Sequence, residues 1–125
     1  MVTVKMKPVL ALIAAAPSPL QDGLLALMTT SNQISAVFVA EEASIALRMV
    51  KDHRPNLVLL DSHLPEAQMV LEQIKNQWPQ TRCIVLVSSG EQERSVKEAD
   101  AVLIEGFSPS QLLATIEVLL AQPET

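Results

Sequence analysis

The sequence predicts a doubly wound α/β sandwich, a parallel sheet with helices on both faces. Three observations carry that prediction. Apolar strand-like runs alternate with helical stretches along the whole of the 125 residues, the order of a fold built from βα units. Several runs, Leu57-Val58-Leu59-Leu60 above all, are apolar throughout instead of alternating, as strands covered on both faces are. Connections between parallel strands are right-handed, and a sheet wound in both directions from its centre becomes a three-layer sandwich.

Composition sets the kind of core. Hydrophobic residues make up 49% of the chain but aromatics only 2%, so Leu, Val, Ile, Ala and Met have to fill the interior. The length suits one domain with one substantial core. A net charge of −5 with no Lys/Arg cluster argues against a surface that tracks nucleic-acid phosphates. The single cysteine, Cys83, lies in an apolar run and reads as a buried small hydrophobe in a chain suited to a reducing cytoplasm. Residues 1–16 have the outline of a signal peptide, with two lysines ahead of an apolar stretch ending in Ala14-Ala15-Ala16. That stretch is short, and Pro17 is awkward for cleavage, so a buried first strand accounts for it better. No apolar run reaches the ~20 residues a membrane-spanning helix needs.

Each element has its own signal. Val9 to Ile13 reads as the first strand. Ser18 caps a helix with Pro19 at its first position and Gln21 completing an S-x-x-Q capping box. Leu20, Leu24, Leu27 and Met28 recur at helical spacing to about Thr30. Ile34 to Val39 is the second strand, and Glu41-Glu42 suit the positive end of a helix dipole. Ala43, Ala46, Leu47 and Val50 form the inner stripe of the second helix. Pro55-Asn56 breaks the chain before the third strand, which ends on Asp61. A third helix spans about Glu66 to Trp78, with Val70, Ile74 and Trp78 on one face, and Pro79 stops it. Cys83 to Val87 is the fourth strand, and Ser88-Ser89-Gly90 reads as an ordinary turn. Glu91 to Glu98 has room for about two turns of helix. Ala101 to Ile104 is the fifth strand. Ser108-Pro109-Ser110-Gln111 repeats the capping box and opens a last helix with Leu112, Leu113, Ile116, Leu119 and Leu120 inward, followed by a polar tail from about residue 122.

In an open parallel sheet, ligands gather beyond the carboxyl ends of the strands. Those ends supply Ala14-Ala15-Ala16, Ala40-Glu41-Glu42, Asp61, Ser88-Ser89 and Glu105. His53 and His63 are isolated in sequence, read as surface residues, and offer no ligand spacing for a metal. No Gly-rich phosphate loop, CxxC, HExxH or Ser/His/Asp signature is present.

The stretch from Arg54 through Asp61 to Pro65 resembles the centre of a response regulator receiver domain, in which an apolar third strand ends in the phospho-accepting aspartate. Ile84 to Ser88 resembles the fourth strand with its terminal hydroxyl residue. Ala99 to Ile104 with Phe107-Ser108-Pro109, and Asp22 to Met28, resemble the surroundings of the fifth strand and the first helix of the commonest transcriptional branch. The resemblance covers essentially the whole chain. It implies a flavodoxin-like three-layer (βα)5 sandwich with strand order 2-1-3-4-5, a place in two-component (phosphorelay) signalling, Asp61 as the phospho-acceptor position, and no enzyme activity.

The departures fall on the functional places. The family's acidic pair, which holds Mg²⁺ together with the acceptor aspartate, falls on Ala15 and Ala16. The phosphate-pairing lysine falls on Glu105, the proline after it on Gly106, and the switch aromatic of the interaction face on Val102. Mg²⁺ normally bridges carboxylates to the incoming phosphate, and a cation adds transition-state stabilisation worth a few kcal/mol. The sequence therefore points to a degenerate receiver: an interaction module independent of phosphorylation, with no cofactor. Its expected partners are another signalling protein, an attached output domain or a second copy of the chain, with neither nucleic acid nor membrane bound by this domain. The alternative is a working phospho-acceptor in which Asp61 and Glu105 together hold a cation such as Mg²⁺. A nucleotide- or flavin-binding enzyme domain is remote, for want of phosphate-cradling glycines.

Overall fold

Five apolar stretches pair edge to edge into one parallel sheet. They are β1 (Leu10–Ala14), β2 (Ala36–Ala40), β3 (Leu57–Asp61), β4 (Arg82–Val87) and β5 (Ala101–Ile104), in the order β2-β1-β3-β4-β5. The structure is a computed structural model and describes residues 8–89 and 97–121. β3 is central, and β1 lies between it and the edge strand β2, with Ala11 opposite Val37 of β2 on one side and Leu57 of β3 on the other. Every residue of β3 is buried, as its unbroken apolar run predicts.

Alternate side chains of each strand leave opposite faces, and the sheet accordingly divides two cores. Leu12, Val58, Leu60 and Val85 meet Ala46 and Val50 of α2 (Ala43–His53) and Val70 and Ile74 of α3 (Ala67–Gln77). Ile13, Leu59, Ile84 and Leu86 meet Leu24 and Met28 of α1 (Pro19–Thr30) and Leu112 and Ile116 of α4 (Pro109–Ala121). This is the flavodoxin-like arrangement expected from the sequence. The helix expected over Glu91 to Glu98 falls mostly on residues 90–96, outside the described residues, and Lys97 and Glu98 form a turn. Residues 1–7 and the tail after 121 are likewise outside.

Element ends differ by a residue or two from the sequence reading. Ile34 is buried but precedes β2: Ser35 bonds back to Val9, and the ladder begins at Ala36 opposite Leu10. α1 starts as expected, with the Ser18 hydroxyl accepting from the Gln21 backbone N–H at 3.1 Å. The reciprocal half of the capping box is absent: the Gln21 side chain turns inward instead. α2 ends at Arg54 in the left-handed region, φ 46°, a conformation that glycine usually supplies. Arg54 is held there by its Nε donating to the Lys51 carbonyl and by its guanidinium lying 5.4 Å from the Trp78 ring centre.

A polar pin closes the amino edge of the sheet, at the opposite end from the candidate site. Asp100 Oδ2 accepts from Lys75 Nζ at 2.9 Å and from the Cys83 backbone N–H at 2.7 Å. Lys75 also donates to the carbonyls of Pro79 and Thr81. The neighbouring Cys83 side chain is fully buried. Burial pushes its thiol up to about 12, Lys75 opposing and Asp100 adding to that shift. The folded state therefore holds this proton more tightly than the unfolded chain does. The associated stability is intact below about pH 9 and is lost as the pH rises from there through about 12, at ~1.4 kcal/mol per pH unit. Urea unfolding at alkaline pH should show this loss, and Cys83→Ala should remove that component. At neutral pH the native thiol should resist alkylation and react only once the protein unfolds.

Candidate functional site at the carboxyl edge of the sheet

The carboxyl ends of β3, β4 and β5 bring Asp61, Ser88 and Glu105 to one edge. Asp61, the last residue of β3, pairs across the ladder with Leu86 and is 7% exposed. The chain then turns sharply. The Leu64 N–H bonds to the Asp61 carbonyl at 3.0 Å, and the His63 backbone N–H donates to Asp61 Oδ1 at 3.0 Å, an Asx-type turn. That turn swings the His63 imidazole back over the carboxylate. Its Nδ1 lies 3.0 Å from Asp61 Oδ1 and 3.7 Å from Glu105 Oε1. Its Nε2 is hydrogen-bonded to the Ser88 hydroxyl. Beside it, Ser62 Oγ is buried and finds no hydrogen-bond partner among the described residues.

His63 is therefore not an isolated surface residue, as its sequence context suggested. Its ring is 53% exposed yet touches all three strand ends. The signal was local: a polar ring two residues beyond an aspartate that ends a strand, within reach of an Asx turn. The contacts to Ser88 and Glu105 span 25 and 42 positions of sequence, and nothing local announces them. His53 stacks on Phe38 with ring centres 4.5 Å apart, away from the site.

The end of β1 is closed by a different device. The Ala15 N–H bonds to the Ala40 carbonyl at 3.0 Å. The Ala15 carbonyl accepts from Gln21 Nε2, which also donates to Glu41 Oε2, both at 2.9 Å. Ala15 is fully buried, whereas Ala16 is exposed. Glu105 is anchored by its backbone N–H to the Val87 carbonyl at 2.8 Å, with a side chain about half exposed. Gly106 follows at φ +99°, a conformation closed to proline, so the chain leaves β5 by a path of its own. Val102 is half-buried and packs against the core under α2 and α3. The exposed apolar residues nearby are Ile104 on β5 and Val118 on α4.

Mg²⁺ is the ion this kind of site implies, and the donor set does not fit it. Mg²⁺ demands near-octahedral oxygen ligation. The end of β1 offers the methyl groups of Ala15 and Ala16 where carboxylates are needed, and Asp61 Oδ1 is engaged by a ring nitrogen. Among the described residues no three His, Cys, Asp or Glu side chains form a group able to hold a metal.

A groove of about 530 Å³ opens on the same side, between α1 and α4. Leu20, Leu24 and Leu27 line one wall and Phe107 and Leu112 the other, with Glu105 among its lining residues. No described helix is long and apolar enough to cross a membrane.

A five-stranded parallel sheet of this order, with an aspartate ending its third strand and a hydroxyl just beyond its fourth, is the arrangement expected of a receiver domain of two-component signalling. The sequence model of the response regulator receiver domain matches residues 17–117, and the chain belongs to that family. It is 30% identical over 104 residues to the uncharacterized transcriptional regulatory protein YhcZ of Bacillus subtilis (strain 168), covering 78% of this chain and 49% of that protein. The chain thus spans about half the length of this curated relative. Among solved structures it is similar to a CheY-like response regulator receiver domain protein from Methanospirillum hungatei, with TM-score 0.79 and 24% identity over 90% of this chain and 94% of that one. It is also similar to the N-terminal signal receiver domain of a Bacteroides fragilis response regulator, with TM-score 0.81 and 16% identity over 94% and 100% of the two chains. These two show the fold alone.

Proposed function

We propose that this receiver domain works without phosphorylation of Asp61, as a protein–protein interaction module. The observation that carries the reading is the exchange of charges at the carboxyl edge. A glutamate and an imidazole surround Asp61 where phosphotransfer needs a metal held by carboxylates and a cation facing the phosphate. An approaching phosphate dianion meets Glu105 and no second carboxylate from β1, so the electrostatic help worth a few kcal/mol per group is missing. The α1–α4 groove offers apolar surface for a partner, and its Glu105 lies in both features. The partner is another signalling protein, an output domain carried by the same or another chain, or a second copy. The curated relative, a transcriptional regulatory protein of which the matched stretch covers 49%, is consistent with an attached output domain.

A second reading has one observation in its favour: Asp61 and Ser88 keep the acceptor and hydroxyl places. In that reading Asp61 is phosphorylated slowly, with Glu105 helping to hold a cation. Intact-mass spectrometry after incubation with acetyl phosphate and Mg²⁺ decides between them, with Asp61→Asn as the control. The expected result is an unchanged mass in both proteins. A phosphoryl adduct on the wild type that disappears in Asp61→Asn would establish the second reading.

A further inference from the structure

We propose that His63 is a positioning residue that takes the bridging place a phosphoryl group on Asp61 would occupy, tying β3 to β4 without any modification. This deepens the phosphorylation-independent reading and rests on it. An acyl phosphate formed at Asp61 Oδ1 would extend from that oxygen toward the Ser88 hydroxyl. That is the space the imidazole fills, with Nδ1 3.0 Å from Asp61 Oδ1 and Nε2 bonded to Ser88. The ring is placed by the backbone, because the His63 N–H is bonded to the same carboxylate oxygen. It is a short, stiff link: two ring nitrogens on opposite sides, each with a partner on a different strand end. Glu105 Oε1, 3.7 Å from Nδ1, brings the end of β5 to the same ring. Backbone bonds then carry the arrangement into the sheet, Ser62 N–H to the Leu86 carbonyl and Glu105 N–H to the Val87 carbonyl, at 2.9 and 2.8 Å. The carboxyl ends of three strands are thus held in one arrangement by a side chain of the chain itself.

The test is amide hydrogen exchange and ¹H–¹⁵N spectroscopy of the full chain, comparing wild type, His63→Ala, Ser88→Ala, the double variant and Ser88→Thr. His63 is half-exposed in a turn, so its removal leaves both cores untouched. In His63→Ala the amides of Ser62 and Glu105 should exchange about fivefold faster, the factor expected for one net hydrogen bond, and the Ser88 amide resonance should shift. Ser88→Ala should also speed exchange at Glu105, and the effect of the double variant should fall short of the sum of the two single ones, since both remove the same bridge. Ser88→Thr, which keeps the hydroxyl, should restore wild-type exchange. A purely local turn role for His63 would instead leave Glu105 and Ser88 unmoved in His63→Ala, and that outcome overturns the proposal. Additive effects in the double variant would overturn it too. The mass measurement above is independent: an adduct on the wild type removes the phosphorylation-independent reading, while the exchange data still decide on the bridge.

Discussion

The double substitution Ala16→Asp with Glu105→Lys is expected to make Asp61 accept a phosphoryl group from acetyl phosphate in the presence of Mg²⁺. Ala16 is exposed, so a carboxylate there stays hydrated and is tolerated. Ala15 is fully buried, with its carbonyl bonded to Gln21, so a charge at that position would cost stability before it met a metal. Glu105→Lys replaces a repelling anion with a cation about as near the incoming phosphate. Removing one group of this kind from an enzyme costs on the order of 10²–10³ in rate. Restoring two should therefore raise adduct formation by at least about a hundredfold over the wild type. Intact mass read against time gives the answer, with Asp61→Asn in the same background as the blank. A double variant that folds and stays unmodified would mean that the block on Asp61 lies elsewhere, with the His63 ring the first suspect.

Asp100→Ala is expected to be the most damaging polar substitution in the molecule. It leaves the Lys75 ammonium, about 16% exposed, without its counter-charge, and orphans the backbone N–H of Cys83, the second residue of β4 and the first of its buried run. Breaking a largely buried pair while leaving one partner in place costs about 3–5 kcal/mol. Partial exposure and the two carbonyls that Lys75 keeps place this case nearer 2–3 kcal/mol, on the scale of a lost hydrogen bond to a charged group. The urea midpoint should fall by roughly 1–2 M for a domain of this size. Asp100→Asn keeps an acceptor for Cys83 and should lose about half as much. An Asp100→Ala midpoint equal to wild type would show that the pin contributes no net stability.

The sheet was legible because its signal is concentrated. Leu57 to Leu60 and Ile84 to Val87 are unbroken apolar runs, and such runs bounded by Pro55, Pro79 and the Ser88-Ser89 turn have few other places to go. Boundaries blurred where propensity and packing disagree. Ala14 and Ala40 are weak strand formers, yet each completes the ladder between β1 and β2, and α3 begins after Glu66 in a left-handed conformation, φ 67°, that no residue type there announces. Topology put Asp61, Ser88 and Glu105 among the strand-end residues, since carboxyl ends of parallel strands meet at one edge, and the resemblance to receiver domains singled them out from that longer list. What sequence did not reveal were side-chain destinations: Gln21 reaching the Ala15 carbonyl and Glu41 instead of closing its capping box, and His63 spanning Asp61 and Ser88. The contacts to Glu41 and Ser88 join segments 20 and 25 positions apart, distances that periodicity and local motifs do not encode.

The pairing of Arg54 with Trp78 has an optical consequence. The chain has one tryptophan and no tyrosine, so its near-ultraviolet fluorescence comes from a single indole. That indole closes α3 at the amino edge, next to a guanidinium, and is half-buried against the core beneath α2 and α3. Asp61 ends β3 at the opposite, carboxyl edge of the sheet. The emission is thus a sensitive reporter of global unfolding, and of the Asp100 pin on the same edge. It should be silent to whatever happens around Asp61, His63 and Glu105.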